Sequence, residues 1–277
     1  MDATIEPPPI ADTTGIGTVG YIGPEGTWTH QAALDIFRGG VTLLPFAEGL
    51  FEAYAAGDVD AICVPVTTSL VGATPYLDDV LALRDVKIIA EYPKVLSYSL
   101  IAGREATFAS IRTVMGHAVA LEEVGAWIDA NMPDVEREIR AGATAYVAEQ
   151  NSPLLAAFGP GLGARLFDLK ELRTGIEEGL HNVTRWWVLG RATPAPTGND
   201  RTTLHLRADE GALHAILAVL VGEGLTLLNI YERPTGERLD AHQYVIDVEG
   251  HLVSNPAIAR LASVEGLRVL GSYPRRY

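Results

Sequence analysis

The order of strand-like and helix-like segments constrains the fold of this chain more than any other feature. Short apolar runs at residues 18–22 and 61–66 alternate with helical patterns over about residues 29–37 and 69–83. Strands that alternate with helices predict an α/β domain on a mainly parallel sheet. The same pattern predicts further strands over residues 86–91, 95–102 and 137–140.

A stretch rich in proline, glycine and threonine, residues 191–200, interrupts this pattern and has the composition of a linker. The apolar pattern then restarts and predicts the order β-α-β-β-α-β, which is the ferredoxin-like order. Its predicted strands are residues 202–207, 225–232, 242–248 and 267–272, with helices over residues 211–222 and 256–264. We therefore expect a flexible tail over residues 1–16, an α/β domain over 17–190, a linker over 191–201 and a second domain over 202–277.

Charge and cysteine content exclude several classes of function. The chain has 35 acidic and 21 basic residues and a formal net charge of −14, so its surface repels nucleic acid. Its one cysteine, Cys63, lies in an apolar run, where a small core residue is expected, and it excludes a disulfide within the chain. No apolar run is long enough to span a bilayer and the first residues lack a signal peptide pattern, so we expect a cytoplasmic protein.

Four short stretches, taken together, resemble a known family. They are Gly20-Tyr-Ile-Gly-Pro-Glu-Gly-Thr-Trp-Thr-His-Gln-Ala-Ala33, Val64-Pro-Val-Thr-Thr-Ser-Leu-Val-Gly72, Asn182-Val-Thr-Arg-Trp186, and Gly211-Ala-Leu213 with Ile230-Tyr-Glu-Arg-Pro234. Each is a weak signal alone, but their order and spacing agree with the predicted elements. Together they resemble the prephenate dehydratase family over nearly the whole chain after residue 16.

This resemblance implies a fold and an assembly. The first domain is expected to be bilobal, like a periplasmic binding protein, with the active site in the cleft between two α/β lobes. The second is expected to be a ferredoxin-like ACT domain. Members of the family form dimers or tetramers, so we expect a homo-oligomer. The implied substrate is prephenate, and no sequence feature requires a cofactor or a metal.

Thr184 and Arg185 are the strongest site candidates that the resemblance implies. The matching threonine is thought to assist departure of the ring hydroxyl group, which makes Thr184 the expected catalytic residue. The matching arginine is thought to hold a substrate carboxylate, and the planar guanidinium of Arg185 suits that geometry. The alternative is that both are ordinary residues of a strand that continues through Trp186 and Trp187. We expect one of these tryptophans to point inward and the other outward, with Trp186 lining the cleft.

Four further hydroxyl residues are candidates for substrate binding. Ser69 and Thr68 follow a predicted strand, where the alternative is a helix cap. Thr27 follows Gly-Pro-Glu-Gly, where the alternative is a simple turn. Thr144 begins a predicted helix, where the alternative is a simple cap. His30 and His117 are expected to be structural or solvated rather than acid–base groups.

The departures from the family pattern concentrate at positions expected to touch ligand. Thr67-Thr68 replaces Glu-Asn, Trp186 replaces phenylalanine, Ala143 replaces a serine, and Gly116-His117-Ala118 replaces Ser-His-Pro. The resemblance thus leaves three functions open. The favoured one is a decarboxylase that keeps the ring hydroxyl group and serves specialised metabolism. The others are a dehydratase that makes phenylpyruvate, and a sensor that binds prephenate or an amino acid without turnover.

The ACT segment also departs from the family. Its two signature segments imply an effector site that includes Gly211, Ala212, Leu213, Glu232 and Arg233, where relatives bind phenylalanine at a dimer interface. Tyr231 replaces a glutamate of the second segment, and its larger side chain is expected to fill part of that site.

Overall fold

The computed structural model describes residues 12–70, 72–176, 182–208, 210–239, 241–264 and 266–277. The strands are β1 (Thr18–Ile22), β2 (Thr42–Phe46), β3 (Ala61–Thr68), β4 (Gly72–Ala73), β5 (Lys87–Val95), β6 (Tyr98–Ala102), β7 (Thr113–Gly116), β8 (Glu136–Ile139), β9 (Leu155–Gly159), β10 (Lys170–Ile176), β11 (Val183–Gly190), β12 (Asp200–Ala208), β13 (Leu227–Pro234), β14 (His242–Glu249) and β15 (Leu267–Pro274). The helices are α1 (Trp28–Phe37), α2 (Leu50–Ala56), α3 (Tyr76–Ala82), α4 (Ala118–Glu123), α5 (Gly125–Asn131), α6 (Ala143–Gln150), α7 (Gly161–Leu166), α8 (Glu210–Gly222) and α9 (Pro256–Leu261).

The first lobe is built on a sheet in the order β2-β1-β3-β11-β5, with β4 paired to β3. β1 pairs in parallel with β2 and β3, whereas β11 lies antiparallel between β3 and β5. A parallel sheet is covered on both faces, and here the inward side chains of α1, including Ala33 and Ile36, cover one face. Cys63 lies wholly buried in this sheet, as expected, and burial raises the pKa of its thiol.

The second lobe is built on a sheet in the order β10-β6-β9-β7-β8. The chain leaves the first lobe between β5 and β6 and returns between β10 and β11, so two crossings join the lobes. This arrangement confirms the expected bilobal fold. β11 is the strand that brings the chain back, and its first residues therefore lie where the two lobes meet.

The C-terminal domain, β12 to β15 with α8 and α9, has strand order β13-β14-β12-β15, which confirms the ferredoxin-like fold. One face of its sheet packs on the two helices through residues such as Leu204, Ile246 and Ile258. The other face packs on the first lobe, where Val245 and Tyr273 share one buried cluster with Trp187 and other first-lobe residues. A single core therefore joins the C-terminal domain to β11.

Two local expectations were wrong. The helix expected from Ser69 begins at Tyr76, because the chain first turns back so that Thr67 pairs with Ala73 and Thr68 with Gly72. The expectation that one of Trp186 and Trp187 points outward fails because the C-terminal domain covers the second face of the sheet, and both indoles are buried.

Part of the expected tail, residues 1–11, lies outside the residues that the structure describes. Pro194, within the expected linker, accepts a hydrogen bond from His251 of the C-terminal domain through its carbonyl oxygen at 3.0 Å. None of the helices in the described part of the chain is long and apolar enough to cross a bilayer.

Close approach of two backbones at Gly271 gives a test of this packing. A Cβ atom at Gly271 would lie 2.3 Å from the carbonyl oxygen of Ile88, so Gly271→Ala must push β15 away from β5. We expect Gly271→Ala to lower the free energy of unfolding by about 1–3 kcal/mol in urea titrations, since overpacking a buried contact is destabilising.

The matched control is Gly222→Ala at the end of α8, where an added Cβ meets no atom within 4 Å. Alanine is favoured over glycine in helices, so we expect the control to change stability by no more than about 1 kcal/mol, in the stabilising direction. Equal losses for the two variants would contradict the close approach of β15 and β5.

Candidate active site between the lobes

β11 divides the candidate residues between its two faces, because successive side chains of a strand point to opposite sides. Trp186 faces α1, where its Nε1 donates to Oγ1 of Thr29 at 3.2 Å. Thr184 is two residues earlier and shares that face, and it is 4% exposed. Arg185 and Trp187 take the opposite face, towards the C-terminal domain. In the motif Thr-Arg-Trp, the threonine and the arginine therefore lie on opposite faces of β11.

Thr184 lies in the middle of a row of polar residues that crosses three strands. Thr68 on β3 is its partner on one side, and Lys94 on β5 is its partner on the other. Directly paired residues in antiparallel strands point to the same face, with Cβ atoms about 5 Å apart. The row places two hydroxyl groups and one ammonium group together at the end of the sheet where the lobes meet.

Ser69 fixes the start of β11. Its backbone N–H donates to the carbonyl oxygen of Val183 at 2.9 Å, and its Oγ accepts from the Val183 N–H at 2.9 Å. Two reciprocal bonds to the residue before Thr184 hold that residue's backbone against β3. Ser69 therefore has a structural role next to the candidate catalytic residue.

Lys94 was missed by sequence reasoning, because it falls between the two segments expected to be strands. Its Nζ donates to Oδ2 of Asp35 at 2.9 Å, and Tyr92 donates to the same oxygen at 2.8 Å. Burial by itself lowers the pKa of Lys94, but the hydrogen bonds and charges of Asp35 and Tyr92 together outweigh burial, and the pKa is raised. Lys94 is therefore charged at neutral pH, and its side chain keeps 27% of its surface exposed. A lysine within an otherwise apolar segment was the available signal.

The loop before α1 carries Thr27 and lies against the second lobe, where Gly26 meets Gly163. Oγ1 of Thr27 accepts from the N–H of His30 at 3.3 Å and donates to the carbonyl oxygen of Pro24 at 3.0 Å, so Thr27 caps α1. His30 stacks on Tyr21, and its Nδ1 accepts from the N–H of Gly26 at 3.0 Å. Burial lowers the pKa of His30, partly offset by Glu25, so the imidazole is neutral at pH 7 with its proton on Nε2.

The second lobe supplies Thr144, which is 7% exposed in the first turn of α6. A Cβ at Gly163 would lie 2.8 Å from Cγ2 of Thr144 and 3.3 Å from the carbonyl oxygen of Gly26. The absence of a side chain at Gly163 thus lets the Thr144 region approach the Gly26–Thr27 turn of the other lobe. Gly163 of the second lobe therefore lies against both Thr144 and the turn that precedes Thr27. His117 lies elsewhere and caps α4.

Arg185 does not join these hydroxyl groups. Its Nε donates to Glu91 at 2.8 Å, its Nη1 to Asp247 at 2.9 Å, and its Nη2 to the Tyr273 hydroxyl group at 2.7 Å. The side chain is 3% exposed. The expectation that Arg185 holds a substrate carboxylate does not fit this position, because each of its three nitrogens is bonded on the face of β11 away from Thr184.

Several residues of the expected effector site already form ion pairs or pack against other residues of this chain. Arg233 pairs with Asp78 of α3, and Nδ1 of His242 pairs with Glu232 at 2.5 Å. Leu213 packs against the core of the C-terminal domain. The surroundings of Gly211 and Ala212 lie outside the described part of the structure. Within the described residues, no three His, Cys, Asp or Glu side chains gather as a metal site would require.

Comparison with known proteins gives a consistent family. The prephenate dehydratase family model matches residues 19–194. The chain is 34% identical over 273 residues to a prephenate dehydratase of Amycolatopsis methanolica, covering 93% of this chain and 88% of that protein. It is 33% identical over 267 residues to a bifunctional chorismate mutase/prephenate dehydratase of Pseudomonas aeruginosa, covering 93% of this chain and 73% of that protein.

Solved structures with similar folds match nearly the whole chain. A prephenate dehydratase of Arthrobacter aurescens in complex with L-Phe has a TM-score of 0.82 and 29% identity, and the match covers 93% of this chain and 90% of that one. GqqA, described as a novel type of quorum quenching acylase, has a TM-score of 0.80 and 25% identity, covering 94% and 98% of the two chains.

The bond between Trp186 and Thr29 gives a test of the site's geometry. Thr29→Val removes the acceptor and leaves a buried indole N–H without its partner, which costs about 1–3 kcal/mol of unfolding free energy. Thr29→Ser keeps the acceptor and is the matched control. Urea unfolding followed by tryptophan fluorescence measures both. Similar stability of the two variants would show that this bond does not fix Trp186.

Proposed function

We infer the function from one premise: the chain belongs to the prephenate dehydratase family. We propose that it is a lyase that converts prephenate to phenylpyruvate, carbon dioxide and water. The position of Thr184 is the observation that carries this proposal, because a buried hydroxyl group lies where the two lobes meet, on the motif that the family shares.

The proposed reaction balances as one elimination. The bond between the ring and its carboxylate breaks and releases carbon dioxide. The electron pair left behind moves through the ring and expels the hydroxyl group on the opposite ring carbon, which makes the ring aromatic. The expelled hydroxide takes one proton and leaves as water.

Thr184 assists the departure of hydroxide in this proposal. Hydroxide is a poor leaving group, and a hydrogen bond donated to it as charge develops lowers the barrier. The alcohol of Thr184 is far too weak an acid to give up its proton outright at neutral pH, so its role is to donate a hydrogen bond. The reciprocal bonds between Ser69 and Val183 hold Thr184 in place for that role.

Lys94 is the group that we assign to a substrate carboxylate. It lies directly opposite Thr184 in the pairing of the strands, and its ammonium group is charged and partly exposed although it also binds Asp35. Arg185, by contrast, is buried and bonded on the other face. The start of α6, with Thr144, supplies backbone N–H groups from the opposite lobe, and such groups favour anions. Substrate would thus be held between a cation of the first lobe and a helix start of the second.

A second candidate is the decarboxylation that keeps the ring hydroxyl group, in which a ring carbon takes up a proton and accepts the electron pair. The observation in its favour is Thr68, which replaces an expected family residue and lies directly opposite Thr184. A second hydroxyl group at this point would alter the hydrogen bonding of the ring oxygen. The similarity to named dehydratases supports the first candidate better. The assembly of the chain into dimers or tetramers stays a prediction.

Product identity tests the proposal. The purified chain is incubated with prephenate at mildly alkaline pH, beside a control without enzyme, and the products are analysed by mass and by ultraviolet absorbance. We expect loss of carbon dioxide together with water and the absorbance of phenylpyruvate. Loss of carbon dioxide alone would establish the second candidate. Binding without any product would contradict both and indicate a sensor.

The role of Thr184 predicts a loss confined to the chemical step. Thr184→Ala should lower kcat for prephenate by about 100-fold, since a hydrogen bond to the developing hydroxide is lost, with a smaller change in KM. Thr184→Ser keeps the hydroxyl group and should retain most of the activity. Unchanged turnover by Thr184→Ala would remove Thr184 from the mechanism.

The role of Lys94 predicts the opposite kinetic pattern. Lys94→Gln should raise KM by about tenfold, the equivalent of one charge-assisted hydrogen bond, with little change in kcat. Lys87→Gln is the control, because Lys87 lies at the far end of the same strand and donates to the carbonyl oxygen of Val269. Equal KM values for the two variants would contradict the assignment of Lys94.

A further inference from the structure

The residue that follows Thr184 is held by the C-terminal domain. The Arg185 guanidinium binds Asp247 of β14 and Tyr273 of β15 in that domain, and Glu91 of β5 in the first lobe. Asp247 and Tyr273 are tied to each other through Thr203 of β12, whose hydroxyl group lies 2.6 Å from an oxygen of each. Two strands of the C-terminal sheet thus bind one side chain of β11 directly, and a third strand holds their two side chains together through Thr203.

This cluster is electrically balanced. Arg201, the second cation, lies 3.2 Å from Glu91 and 3.3 Å from Asp247, so two guanidinium groups meet two carboxylates. Burial by itself lowers the pKa of Arg185, but its acidic neighbours, Asp247 foremost, hold that pKa well above its ordinary value. Burial raises the pKa of Tyr273. Arg185 is therefore charged and Tyr273 neutral across the physiological range.

The last residues of the chain complete the cluster. The backbone N–H of Arg276 donates to Oε1 of Glu91 at 2.9 Å. The ring of Tyr277 faces both cations. Its centroid lies 5.6 Å from Cζ of Arg185 and 4.4 Å from Cζ of Arg201. Arg185 is thereby fixed in direction as well as in charge.

The pairing of β11 is irregular next to Arg185 on its β3 side alone. The register shifts between Arg185 and Trp186 because Val66 of β3 is an extra residue in that ladder, whereas β11 stays in register with β5 at the same point. Thr184 and Arg185 share a peptide bond on the side of that shift where the lobes meet. A change in the direction of Arg185 would reach Thr184 through this peptide bond, and about 1 Å of displacement of a catalytic group can cost up to about 100-fold in rate.

We propose that Arg185 is a positioning residue through which the C-terminal domain fixes Thr184 for catalysis. This inference rests on the proposed function of Thr184. It replaces the expected contact between Arg185 and substrate. It also gives the C-terminal sheet a direct route to the active site, because any ligand that moves β14 against β5 would move the partners of Arg185.

A second contact between the same two domains supplies the matched control. Arg233 of β13 forms a two-pronged pair with Asp78 of α3, and this pair does not touch β11. Asp78→Asn weakens the domain contact without reaching Arg185, whereas Tyr273→Phe and Asp247→Asn each remove one partner of Arg185. Tyr273→Phe is the milder of the two and keeps the shape of the core.

Steady-state kinetics with prephenate measures the effect. We expect Tyr273→Phe and Asp247→Asn to lower kcat by about tenfold or more while KM changes by less than about threefold, because positioning acts on the transition state rather than on binding. Asp78→Asn should stay within about twofold of the unaltered chain in both constants. A rise in KM alone for Tyr273→Phe, or equal effects of Tyr273→Phe and Asp78→Asn, would overturn the proposal.

Amide hydrogen exchange gives a second test that does not depend on activity. Peptides that contain Thr184 and Trp186 should exchange faster in Tyr273→Phe than in Asp78→Asn, while peptides from β7 and β9 of the second lobe stay unchanged. Equal exchange of β11 in the two variants would overturn the proposal even if Asp247→Asn fails to fold. A chain that does not turn over prephenate, but shows the expected exchange, would contradict the proposed function and leave the link between Arg185 and the C-terminal sheet standing.

Discussion

The buried cluster around Arg185 is the interaction on which the arrangement of the molecule depends. Arg185 and Glu91 come from the first lobe, and Asp247 and Tyr273 come from the C-terminal domain. Removing charges from water costs several kcal/mol per ion, so the cluster is tolerated only when all its members are present. The C-terminal domain therefore has one position in which the charge of Arg185 is satisfied, and the apolar cluster that contains Trp187 and Val245 excludes water there.

The two faces of β11 contact different parts of the molecule. One face carries Thr184 and Trp186 towards α1 and the meeting point of the lobes, and the other carries Arg185 and Trp187 towards the C-terminal domain. Because both faces belong to one strand, the site and the domain contact cannot move independently. The proposed chemistry, with Thr184 between Thr68 and Lys94, thus lies within one strand's thickness of the C-terminal sheet.

Much of the fold could be predicted from the sequence, and the reasons for the failures are physical. Strand β1 was placed at its exact bounds, and the ferredoxin-like order followed from apolar periodicity, because both depend on local pattern. The helix expected from Ser69 failed because a short strand pairing, invisible in apolar periodicity, extends the chain to Tyr76. The ion pair of Arg185 is formed with Asp247, which lies 62 residues away in the chain, so local sequence patterns do not predict it. Lys94 was missed because its role follows from pairing with Thr184 across two strands.

We expect substrate to meet Thr184 while Arg185 stays bonded to the C-terminal domain. A crystal structure of the chain with phenylpyruvate bound tests this claim most directly. The ligand should lie between Thr184 and Thr144 with its carboxylate near Lys94, and the guanidinium of Arg185 should still be bonded to Asp247 and Tyr273. A structure in which Arg185 has left Asp247 to bind the ligand's carboxylate would contradict it.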